Sequence, residues 1–270
     1  ITNSGELLAK SGAFTLTIDA GYILTVEEGG SIAGEITIQN NGTMLVEGGE
    51  VYGKVTNAGT LAVGKDGTLN GDVANQAGKT MNVAGTVKKD VDNQGELAII
   101  ADGSIGGSVE NAAGGKLTVN GGTIGGTVDN GGTLSMEGGA IGNTLTNAGQ
   151  ADLTGGAKLL GDVANLKGGS ITGANLAIDA GKEMINAGEL SMEQITVNGA
   201  LVNEKDGKID SALVNNGSVT NMGTIAAEVT NTGTGKLNNS GTISGASLSN
   251  ANRLVNENNG VISSAEVTNS

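Results

Sequence analysis

Asparagine returns about every 18 residues through the middle of this chain, at Asn57, Asn75, Asn93, Asn111, Asn130, Asn147 and Asn165, with spacings of 18, 18, 18, 19, 17 and 18. A fixed short period marks a stacked repeat, because one such unit cannot bury its own apolar face and must lean on the next. The frame around each asparagine says what the unit is. An aliphatic residue lies six positions before it, from Val51 to Leu159, and another lies two before it, from Val55 to Val163. The position between them is usually glycine, as at Gly53, Gly71, Gly107, Gly126 and Gly161, with Lys89 and Asn143 as exceptions. Aliphatic, glycine, aliphatic and asparagine therefore alternate, which is the period of a strand with one buried face.

A glycine follows each asparagine within three residues and marks a turn. A second short alternation comes next, in Leu61 and Val63, Leu97 and Ile99, or Leu117 and Val119, and then a turn rich in glycine and acid such as Gly64-Lys65-Asp66-Gly67. One coil reads strand, turn, strand, turn, with no helical period. Asn-Gly between strands is also a hairpin signal, but the recurrence of one phase over seven coils favours stacking of like on like. The expected fold is an all-β, single-stranded parallel β-helix of about 18 residues per coil. In 270 residues that makes about 15 coils, forming one continuous solenoid over 1–270. Three sub-regions are expected: regular coils over 1–165, a register break over 166–202, and coils with two asparagine corners over 203–270. Buried amides must be hydrogen-bonded, and identical side chains one rung apart, about 4.7–4.9 Å, can bond along the axis. The seven asparagines are thus expected to form a structural ladder.

Composition limits the chemistry. The chain has no cysteine and no histidine, which removes disulfides, thiolate metal sites and the commonest general base. No phosphate-binding loop, serine elbow or calcium nonapeptide pattern occurs. A net charge of −14 with 14 basic residues points away from nucleic acid, whose binding relies on Lys and Arg, and no apolar run is long enough for membrane insertion as a helix. Sugar-cleaving β-helices use a pair of carboxylates in a groove; this chain has no tryptophan, two tyrosines and one phenylalanine to build one. The expectation is a chain without enzymatic activity, with a polysaccharide-cleaving β-helix as the alternative. No cofactor is expected. Asp92, Glu110 and Asp129 each precede a ladder asparagine and stack on one outward face, where they form either a solvated acidic stripe or a weak calcium site. A regular threonine array, as an ice-binding face would need, is broken by Glu6, Glu96 and Glu189.

The run Gly53-Lys54-Val55-Thr56-Asn57-Ala58-Gly59-Thr60-Leu61-Ala62-Val63, with its variants at 91–97 and 219–225, resembles the passenger repeats of bacterial type V secretion. These are the β-solenoids of autotransporter adhesins and filamentous-haemagglutinin-like proteins. The likeness spans nearly the whole chain and carries structure rather than activity. It implies a right-handed β-helix, exported to the bacterial surface, acting as a fibre or adhesin segment. The implied partners are a protein or glycan on a host or neighbouring cell, or another copy of the chain in a self-associating filament. Ile1-Thr2-Asn3 and Val267-Thr268-Asn269-Ser270 share a phase of the repeat, which suggests a segment of a longer array.

Overall fold

Branched aliphatics alternate with small polar residues in this chain, and glycine punctuates each run, so short strands joined by tight turns are the structure the backbone favours. The computed structural model describes residues 1–257 and 259–270, and every regular element in it is a β-strand. Pairing between the strands is parallel, apart from single antiparallel bridges at Glu27–Gly48 and Ile100–Gly121. The chain divides into two compact units, Ile1–Asn143 and Thr144–Ser270.

In the first unit a typical coil consists of Thr68–Leu69, Val73–Asn75 and Thr80–Val83. The first two belong to one sheet and the third to the other. Each pairs with its equivalent in the next coil: Val73 with Val91, Asn75 with Asn93, Met81 with Leu97. The inward side chains form columns between the two sheets, and Leu61, Leu69, Met81, Val87 and Leu117 are completely buried. Seven corner positions are in register here: Ile18, Asn40, Asn57, Asn75, Asn93, Asn111 and Asn130. Stacking at this spacing makes glycine obligatory at some corners. A Cβ on Gly126 would lie 2.5 Å from the backbone carbon and oxygen of Gly107 on the coil before.

The second unit follows the same plan with seven corners of its own, at Asn147, Asn165, Asn186, Asn203, Asn221, Asn239 and Asn256. Two of its strands are unusually long, Ser170–Ile178 and Glu189–Val197. The second of these pairs with two short strands on its other side, Lys208–Ile209 and Ala212–Asn215. Where the two short strands part, the buried Ser211 hydroxyl accepts the Met192 amide at 2.7 Å. The hydroxyl replaces the backbone partner that an unbroken strand would have offered. From here on Asn215, Asn231, Asn250 and Asn269 form a second in-register column in the opposite sheet.

The fold is thus the expected β-solenoid, with about fourteen coils of roughly 18 residues. Two coils are longer than the rest: the corners Ile18 and Asn40 are 22 residues apart and contain the ten-residue strand Ser31–Asn40, and Asn165 and Asn186 are 21 apart and contain the nine-residue strand Ser170–Ile178.

Candidate functional site

The most chemically distinctive residues of the repeat point inward. Asn93 shows the arrangement: its Oδ1 accepts from Asn75 Nδ2 at 2.8 Å, and its Nδ2 donates to Asn111 Oδ1 at 2.7 Å. The same Nδ2 also reaches the carbonyls of Gly95 and Lys116, at 3.1 and 3.0 Å. Each amide therefore serves as a rung, and braces the turn after it by donating to backbone carbonyls there. In the first unit the chain of donations runs from Asn40 through Asn57, Asn75, Asn93 and Asn111 to Asn130. In the second it runs from Asn147 through Asn165, Asn186, Asn203, Asn221 and Asn239 to Asn256. The second column is bonded in the same sense, from Asn215 through Asn231 and Asn250 to Asn269.

The donations all point the same way, so Asn40, at the head of the first column, has no asparagine before it to accept from. Asn40 is completely buried, and its Oδ1 has no partner. The residue in register on the preceding coil is Ile18, whose side chain has no N–H to offer. Asn215, which heads the second column, avoids this by accepting the Gly217 amide at 3.1 Å.

The seven expected ladder positions omit Asn40 and Asn186, and the bonded column also continues through Asn203, Asn221, Asn239 and Asn256. Asn186 escaped the sequence pattern because its neighbours are 21 and 17 residues away and Met184 replaces the usual valine. The frame Ile38-Gln39-Asn40-Asn41-Gly42 fits the repeat and could have revealed Asn40.

Asp92, Glu110 and Asp129 occupy consecutive positions of one outward column, with Asp92 paired to Glu110 and Glu110 to Asp129. All three are exposed. Nearby Asp90 is committed to structure, since its Oδ1 accepts the Ser108 amide at 2.7 Å. Among the described residues no group of three or more metal-ligating side chains is placed to hold a metal ion. A stacked column spreads its carboxylates along a line, whereas calcium needs six to eight oxygens converging at 2.3–2.6 Å.

The turns carrying Glu28, Glu47 and Asp66 line an open cleft of about 610 Å3, together with Gly48, Gly64 and Lys65. A smaller apolar hollow of about 180 Å3 lies between Ile1, Leu16, Tyr22 and Leu24. The perturbed ionisable groups lie on the outside. Hydrogen bonding to Tyr52 holds the Glu50 carboxyl below its ordinary range, and the same bond raises the Tyr52 phenol. Lys167 and Asp206, 2.6 Å apart, shift each other in opposite directions, the lysine upward and the aspartate downward. These are surface pairs of modest energetic weight.

No family model and no curated protein matches the chain. Among solved structures, it is similar to a TibC-catalyzed hyper-glycosylated TibA55-350 fragment. That likeness covers 95% of this chain and 99% of the other, at 20% identity with a TM-score of 0.39.

Proposed function

We propose that this chain is a non-enzymatic segment of a bacterial cell-surface fibre, which attaches to a surface ligand or holds an adhesive tip away from the cell. The observation that carries this reading is where the repeat uses its polar residues. Its most regular functional group, the asparagine amide, is spent inside the coil on closing turns and tying rungs together. What remains outside is a set of long in-register columns of small and acidic side chains, a surface suited to many weak contacts rather than to one reacting centre. Extracellular placement, the absence of enzymatic activity and the absence of a required cofactor are parts of the same proposal.

The test is binding of labelled 1–270 to host cells, matrix proteins and immobilised glycans. Saturable binding supports an attachment role, and no binding to any of them leaves the spacer role. Cleavage of a polysaccharide substrate that is lost when one of Glu28, Glu47 or Asp66 is neutralised would overturn the proposal in favour of an enzyme.

A further inference from the structure

One outward column of the second unit carries its charges in order, acids at one end and bases at the other. The strands Glu183–Asn186, Ala200–Asn203, Ser218–Asn221, Lys236–Asn239 and Arg253–Asn256 stack in register, so their first residues form a single line: Glu183, Ala200, Ser218, Lys236, Arg253. Asp162 extends that line by one rung, and its Oδ1 accepts the Glu183 amide at 2.9 Å. Two acids therefore stand at one end, two small residues in the middle and two bases at the other end. The ion pairs among the described residues of this unit join Lys167 to Asp206, and Lys208 to Glu189 and Asp210, and leave these four charged side chains unpaired by any salt bridge.

Stacking like charges one rung apart is unfavourable within a single chain. It becomes favourable if a second copy lies against the face in the opposite direction. A two-fold axis across the column, between the Ala200 and Ser218 rungs, sets Asp162 opposite the other copy's Arg253 and Glu183 opposite its Lys236, and repeats both pairs by symmetry. Ala200 and Ser218 meet at the centre, where small side chains let the two sheets approach. The neighbouring outward column supplies apolar surface to the same face, with Ile185 paired in register to Val202, and Val255 at the far end. At about 4.8 Å per rung the face is roughly 24 Å long, smaller than a standard stable interface, so the pairing is weak and concentration-dependent.

We infer that this face is a self-pairing surface, on which two copies associate antiparallel through Asp162, Glu183, Lys236 and Arg253. The inference goes beyond the attachment reading, since the chain can pair in this way whether or not it binds a host surface, and it is tested on the purified protein alone. Two charge-reversed variants provide the experiment. Asp162→Lys with Glu183→Lys makes the column wholly basic, and Lys236→Glu with Arg253→Glu makes it wholly acidic. Sedimentation equilibrium at low salt is expected to show the wild type rising with concentration from 26.4 kDa toward twice that mass. Each variant alone stays monomeric, and the two mixed in equal amounts form a heterodimer. Recovery on mixing also shows that both variants are folded. A wild type that stays monomeric at every concentration, or variants that each associate as well as the wild type, would overturn the inference.

Discussion

At the scale of the residue, a buried amide is worth having only when its neighbours complete it. Asn93 is satisfied on both sides, and removing it takes the donor from the buried Oδ1 of Asn111, one acceptor from Asn75, which keeps the Lys79 and Glu96 carbonyls, and the bonds of Asn93 itself to Gly95 and Lys116. A buried donor or acceptor without a partner costs about 1–3 kcal/mol, so Asn93→Ala is expected to destabilise the fold by about 2–5 kcal/mol. Asn40 differs, because its Oδ1 is already without a partner and only Asn57 loses a side-chain donor when it is removed. Asn40→Ala is therefore expected to cost about half as much. Urea unfolding of the two variants measures the difference, and equal losses would mean that the amides act by packing rather than as a directional chain.

At the scale of the element, the coil changes plan without breaking the stack. The nine-residue strand Glu189–Val197 faces two short strands, and the Ser211 hydroxyl bridges the gap between them. Ser211→Ala is isosteric apart from that oxygen and leaves the Met192 amide buried with no acceptor. The expected loss is about 1–3 kcal/mol. The same substitution at Ser191, exposed on the same long strand, should change stability by less than about 0.5 kcal/mol. Thermal denaturation of the pair decides it; if both are neutral, the hydroxyl does not serve as a strand partner. The stretch from 166 to 202 reads as irregular in the sequence because its strands are long, yet Asn165, Asn186 and Asn203 remain linked through it. Spacing along the chain shows that something changes there. Which residues take over each position depends on how the longer strand pairs.

At the scale of the whole molecule, charge is the dominant feature, and it is uneven. Residues 1–143 hold 7 basic and 16 acidic side chains, and residues 144–270 hold 7 and 12. Asp92, Glu110 and Asp129 concentrate that excess in one column. Glu110→Gln removes the middle charge and relieves both of its neighbours, so the melting temperature should rise at low ionic strength. The gain should vanish near 1 M salt, where the screening length is about 3 Å. A calcium arm separates screening from binding: if added calcium raises the melting temperature of wild type and Asp92→Asn equally, the ion acts only as a counterion. A larger shift in wild type would mean that the column shares a cation.

The chain's own pattern determined the strand content, the coil length, the inward columns and the recurring asparagine corners, because a stacked fold uses only neighbouring coils and repeats one local rule. Each coil writes that rule out again, so periodicity alone carries it. The tertiary structure decided what depends on register across longer strands. It placed Asn186 in the ladder, left Asn40 without a donor beneath Ile18, and gave Ser211 a backbone amide to accept. It also aligned Asp162 and Glu183 with Lys236 and Arg253, residues up to 91 positions apart. Their order on one face follows from five successive pairings, each offset by a coil of slightly different length, and no single window of sequence contains it.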